Sequence, residues 1–125
     1  MIVAGFGFRK TATVSSLEDA LDRTGRALEV HALATVKDKA ETPAFAALAA
    51  LLGLPVLRID STALRAQQTV TQSPDSIAAR GTGSVAEAAA LAAAGPGARL
   101  IGPRVVSSDR QATCALATIP MGDDI

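Results

Sequence analysis

Three short clusters hold the groups most able to handle an anion. GFGFRK at residues 5–10 sets Gly5 and Gly7 ahead of Arg9 and Lys10. TVKDK at 35–39 sets Thr35 ahead of Lys37 and Lys39, and GTGSVAE at 81–87 sets Gly81, Gly83 and Ser84 ahead of Glu87. Glycines let a ligand approach backbone N–H groups closely. Arginine adds a planar donor fork and lysine a mobile charge. A serine-capped helix start turns further N–H groups toward negative charge. Glu87 supports two readings. An acid above a glycine turn can act as general base or orient a ligand, or it can complete a capping box with Ser84.

Other chemistry is thinner. His31 lies in an apolar run and reads as a core or edge residue, and Cys114, the lone cysteine, reads as a buried thiol. GTGSVA fits the dinucleotide pattern GxGxxA, which requires a strand ahead of it, but SPDSIAAR in that place reads helical. Binding of a nucleotide or phosphometabolite is therefore the alternative function. No Walker sequence follows either glycine cluster.

These clusters need elements to position them. IVAGFGF (2–8) is an apolar run of strand type, and SSLEDALDRTG follows at helical spacing, with a capping box expected at Ser15 and Glu18 and a stop at Gly25. Leu28 to Val36 reads as a second strand. Thr42 and Pro43 open a helix in which Phe45, Leu48 and Leu52 share a face. PVLRI is a third strand, followed by a short helix over Ser61–Gln68 and a helical turn begun by Ser73 and Pro74. Ser84 caps an alanine-rich helix that ends at Gly95 to Gly97. ARLIGPRVV forms a fourth strand, SSDRQ a turn remote from the glycine clusters, and ATCALATI a fifth strand, most simply the hairpin partner of the fourth. PMGDDI is expected to fray.

The alternation implies α/β architecture: a three-layer α/β/α sandwich around a mainly parallel five-stranded mixed sheet with an antiparallel edge strand. In such a sheet the loops leaving the carboxyl ends of the parallel strands, and the helix N-termini, share one edge. That edge collects Gly5, Gly7, Arg9, Thr35, Lys39 and the turn at 81–87.

The 125 residues fit one domain spanning 1–125. Twelve basic residues balance twelve acidic ones, so no charge excess points to nucleic acid or an anionic membrane. Three phenylalanines are the only aromatics, too few for a stacking platform for single strands. One cysteine and one histidine offer no metal set. No signal-peptide pattern or membrane-length apolar run occurs, so the expected location is cytoplasmic, with no resident metal or cofactor.

VAGFGFRK, LATVKDKAETPAFAALAALLGLPV, SPDSIAARGTGSVAEAAALAAAG and ARLIGPRVVSSDRQATCALA together resemble the CobE family of cobalamin biosynthesis, whose domain also forms the C-terminal part of the CbiG hydrolases. The resemblance spans residues 2–118. Carried onto this chain, it implies ligand-binding roles for Gly5, Gly7, Arg9, Thr35, Lys39, Ser73, Gly83 and Ser84, with Glu87, Val85 and Ala88 in the same motif. Arg104 stands where the family often has lysine. The implied ligand is a precorrin-type tetrapyrrole or corrinoid rich in carboxylates, with other corrin-pathway enzymes as further partners. Two activities follow as alternatives. One is hydrolysis on the macrocycle, with Glu87 as general acid or base assisted by Lys39, and the other is binding and hand-over of an intermediate.

Overall fold

The computed structural model describes residues 1–119. The expectation for Pro120 to Ile125 lies outside them. The strands are β1 (Ile2–Phe8), β2 (Ala32–Val36), β3 (Val56–Ile59), β4 (Arg99–Leu100), β5 (Val105–Val106) and β6 (Ala112–Thr118). The helices are α1 (Val14–Arg23), α2 (Pro43–Leu52), α3 (Ser61–Arg65), α4 (Pro74–Arg80) and α5 (Val85–Ala94). The sheet order is β3-β2-β1-β6-β4, with β5 also paired to β6.

Side-chain alternation along β1 sorts the core into two layers. Ile2, Ala4 and Phe6 face α1 and α2, where Leu17, Leu21, Phe45 and Leu48 fill the space. Val3 points to the other face, beneath α3 and α5, with Ala34, Val36, Leu64, Ala88, Ala89 and Ala90. The architecture is thus the expected three-layer sandwich with a mixed sheet.

The antiparallel strand differs in position. It was expected at the edge as partner of a fourth strand, in a five-stranded sheet. Among the described residues the sheet has six strands, and β6 lies inside it, antiparallel to β1 along seven residue pairs from Ile2↔Thr118 to Phe8↔Ala112. Burial accords with this: Ala112, Cys114, Ala115, Leu116 and Ala117 are all buried, and a strand apolar on both faces suits the middle of a sheet that helices cover on both sides. ARLIGPRVV splits into β4 and β5 around Gly102 and Pro103, because proline has no N–H for the ladder. The strand expected from Leu28 starts at Ala32, after a short 3-10 turn at Ala27–Glu29 that leaves Leu28 exposed.

The helix starts follow capping chemistry. Ser73 and Ser84 cap α4 and α5 as expected, each accepting a backbone N–H three residues on. At α1 the box is Thr13 with Ser16, each accepting the other's backbone N–H, two residues before the expected pair. A tertiary contact decides it, since the Ser16 hydroxyl also donates to Asp109 at 2.6 Å. On α2, Phe45 and Leu48 are buried while Leu52 turns outward.

The alanine-rich α5 lies directly on β1. A Cβ at Gly5 would meet the Ala86 carbonyl at 2.1 Å and the Ala90 nitrogen at 2.5 Å. No side chain fits between helix and strand there. Ala34 and Ala115, the residues paired with Gly5 on either side, keep the surface low. Gly5→Ala should therefore lower stability by about 3 kcal/mol, read as a shifted urea midpoint. Gly102→Ala, where nothing lies within 4 Å, should stay within about 0.5 kcal/mol of the parent.

Candidate functional site

A cleft of about 560 Å³ opens at the carboxyl ends of β1, β2 and β5. Gly7, Phe8 and Arg9 leave β1 into it, Lys39 comes from the loop after β2, and Ser73, Asp75, Ser76 and Arg80 come from α4. Arg104, Arg110 and Gln111, from the segments that lead into β5 and β6, line it as well. Five cationic side chains thus face one carboxylate, Asp75. Their convergence is a consequence of topology: with β6 reversed beside β1, the turn that precedes it lies at the same end of the sheet as the loops that follow β1 and β2. The Arg9 N–H donates to the Gln111 carbonyl at 2.9 Å and ties the two segments together. Arg110, expected in a turn remote from the site, lines the cleft for this reason.

The cations differ in how far they are already engaged. Arg80 makes a two-pronged pair with Asp38, both contacts at 2.8 Å, and this holds the Asp38 carboxyl below its ordinary range. The Lys39 ammonium sits 5.2 Å from the centre of the Phe8 ring. Phe8 in turn stacks on Phe45, with 5.7 Å between ring centres. Burial, followed by the positive charge of Arg80, holds the Lys39 pKa below the usual lysine value. Arg9, Arg104 and Arg110 form no ion pair among the described residues.

The expected site residues divide into two sets. Gly7, Arg9, Lys39 and Ser73 line the cleft. Gly5, Thr35, Gly83, Ser84 and Glu87 lie in the packed interior behind it. Gly5 receives α5, Thr35 donates its hydroxyl to the Phe6 carbonyl at 2.9 Å, and a Cβ at Gly83 would meet the Thr71 carbonyl at 2.3 Å. Lys37 is exposed outside the lining. His31 is exposed, and its Nδ1 accepts the Ile2 N–H at 3.1 Å, at the far end of the sheet. Cys114 is buried, which pushes its thiol pKa up. GTGSVA follows α4 rather than a strand, so the turn lacks the strand that precedes a dinucleotide loop.

Glu87 is fully buried. Its Oε1 accepts the N–H groups of Val70 at 2.8 Å and Thr71 at 2.9 Å, and its Oε2 accepts the Thr71 hydroxyl at 2.6 Å and the Arg104 N–H at 2.9 Å. Ser84 does cap α5, but the Glu87 side chain completes no box and instead joins the loop before α4 to the wall that carries Arg104. Burial pushes its pKa up, yet the bonds from the Thr71 hydroxyl and the Thr71, Arg104 and Val70 amides together outweigh it and leave the carboxyl below its ordinary value. Among the described residues no group of three or more His, Cys, Asp or Glu could hold a metal ion. No helix there is long and apolar enough to cross a membrane.

Residues 2–117 match the family described as the cobalamin synthesis G C-terminus. The chain belongs to that family. Its fold resembles the crystal structure of CobE, a protein from the cobalamin biosynthetic pathway, with a TM-score of 0.82 and 34% identity over 96% of this chain and 91% of that one. It also resembles the cobalamin biosynthesis protein chiG from Agrobacterium tumefaciens, with a TM-score of 0.73 and 36% identity over 95% of this chain and 98% of that one. A Sulfolobus solfataricus protein named as a homolog of cobalamin biosynthesis protein G aligns over 37% of its length, with a TM-score of 0.69 and 19% identity. That last likeness is one of fold. No curated protein matches the chain. Two features escaped sequence reading: the placement of Arg104 and Arg110 on the cleft, which depends on where β6 lies, and the partners of Glu87, which lie 16 and 17 residues away in the chain.

Glu87→Gln should cost about 1–3 kcal/mol at neutral pH, since its amide group would face N–H donors. A lowered folded-state pKa means the stabilisation is present above the ordinary value of 4.5 and is lost as pH falls through the folded value. Urea denaturation from pH 7 to 3 should therefore show the gap between parent and variant narrowing below about pH 4.5. A gap independent of pH would mean that the carboxylate is not ionised in the fold.

Proposed function

We propose that this protein acts in corrin-ring construction by binding a precorrin-type tetrapyrrole intermediate at the cationic cleft and handing it on to another enzyme of the pathway in the cytoplasm. The observation that carries the reading is the concentration of Arg9, Lys39, Arg80, Arg104 and Arg110 around one open cleft in a chain whose net charge is zero. Basic residues drawn to one place in an otherwise balanced chain mark a site for a ligand with several negative groups. Membership of a cobalamin-synthesis family supports a ligand of the corrin-precursor class, a macrocycle edged with acetate and propionate carboxylates.

Arg9 and Lys39 take the principal carboxylates in this reading. Arg9 offers two parallel N–H donors and Lys39 a charge over the Phe8 ring. Phe8 and Val85 add apolar surface beside them for the body of the ligand. Binding and hand-over need no more than these walls. Hydrolysis would require a proton-transfer group within reach of the ligand, and Glu87 spends both oxygens on Val70, Thr71 and Arg104 behind the wall. That geometry favours hand-over, with Glu87 holding the walls in place.

Titration with hydrogenobyrinic acid, a metal-free polycarboxylate corrinoid, followed by its visible spectrum tests the reading. Arg9→Ala should weaken binding by about 1.5–3 kcal/mol, and Arg9→Lys should restore part of it. Lys39→Ala should weaken it less, and both losses should shrink with added salt. Arg99, paired with Thr118 at the opposite end of the sheet, is the control, and its replacement by alanine should leave affinity unchanged. Absence of any saturable spectral change with the parent protein would remove the proposal.

A further inference from the structure

Among the described residues other than glycine, Arg110 alone has a positive φ, 61°. It sits in the loop between β5 and β6, where its N–H donates to the Ser107 carbonyl and the Ser107 N–H donates to the Ala112 carbonyl, both at 2.9 Å. A hairpin loop that ends in one left-handed residue favours glycine there, because a Cβ crowds the following carbonyl. A long side chain at such a position calls for a reason beyond the turn itself.

The turn does not require arginine. Asp109 already fixes it, accepting from the Ser107 hydroxyl at 2.6 Å, the Gln111 N–H at 3.1 Å and the Ser16 hydroxyl at 2.6 Å. Arg110 is exposed and has no ion pair among the described residues. What its side chain does is line the cleft beside Arg104, whose backbone is pinned from behind by Glu87 at 2.9 Å. A residue kept in an unfavourable conformation at the mouth of a cleft indicates a functional demand on its side chain.

We infer that Arg104 and Arg110 form a second anion subsite on the hairpin side of the cleft, separate from the one at Lys39, and that the protein therefore selects ligands with carboxylates at two separated positions on their rim. Lys39 follows β2 and Arg104 precedes β5, and the sheet order between them is β2-β1-β6-β5. Strand spacings of ~4.8 Å put the backbones of β2 and β5 roughly 14 Å apart, and those of β2 and β6, into which Arg110 leads, about 10 Å apart. A macrocycle with acidic groups around its rim matches cations spread over strands set that far apart. The ligand class rests on the function proposed above, but the subsite itself does not.

The test uses two probes, citrate and hydrogenobyrinic acid, with the arginine side-chain N–H signals followed by NMR and stability followed in urea. Citrate should shift the Arg104 and Arg110 signals saturably in the parent protein. Arg110→Gly should raise the urea midpoint by relieving the left-handed strain, while weakening citrate and hydrogenobyrinic acid at least tenfold. Arg104→Ala should weaken both probes in the same way. Unchanged affinity in Arg110→Gly, or a lowered urea midpoint, would overturn the inference. If citrate binds through Arg110 and the corrinoid does not bind at all, the subsite stands and the corrin reading fails. If the corrinoid binds the parent and Arg110→Gly equally, the corrin reading stands and the subsite fails.

Discussion

The backbone of α5 resting on Gly5 of β1 is the contact on which the rest of the molecule depends. With the Ala86 carbonyl only 2.1 Å from where a Cβ would stand, the helix is held at a distance set by backbone atoms rather than by side chains. This explains why a helix made almost wholly of alanine is so deeply buried: each Ala contributes little area, but the close approach brings backbone and methyl groups together at crystal-like density. The same contact fixes the height at which Glu87 emerges from the first turn of α5. From there its carboxylate reaches two separate segments, Val70 and Thr71 on one side and Arg104 on the other. Burying an ionised group is costly unless its lone pairs are used, and here four donors use them. The two segments are thereby secured to the sheet through one helix.

The reversed strand β6 is the second constraint. Because β6 pairs with β1 along its whole length, its first residues lie where β1 ends. The loop that feeds it must then stand beside the loops leaving β1 and β2. A parallel sheet already gathers strand ends and helix starts at one edge, and β6 adds a hairpin wall to that edge. The cationic cleft is a product of this arrangement as much as of the basic residues themselves. Arg9 and Arg110 are far apart in the chain and are joined through the Arg9 N–H and the Gln111 carbonyl.

Much of this was legible in the sequence because local chemistry determines it. The alternation of apolar runs and helical spacing led to the layered architecture, and Ser73 and Ser84 mark helix starts because their hydroxyls satisfy free N–H groups. The importance of Gly5 was legible too, but not its purpose: a glycine at a strand end permits close approach by a ligand or by a helix, and the choice depends on which neighbour arrives. Glu87 illustrates a harder limit. Its spacing from Ser84 suits a capping box, yet its partners lie 16 and 17 residues away in sequence, and no local pattern encodes them. Arg110 was misplaced for the same reason, since the position of a hairpin follows from strand order, which alternation alone does not specify.

The proposed function requires the cleft at the carboxyl ends of β1, β2 and β5 to receive a polycarboxylate macrocycle along its rim. A crystal structure of the protein grown with hydrogenobyrinic acid tests it most directly. The expected result is a corrinoid seated in the cleft, with carboxylates against Arg9, Lys39, Arg104 and Arg110, and with Glu87 still bonded to Val70, Thr71 and Arg104. A corrinoid bound elsewhere on the molecule, or a cleft left empty at saturating ligand, would contradict it.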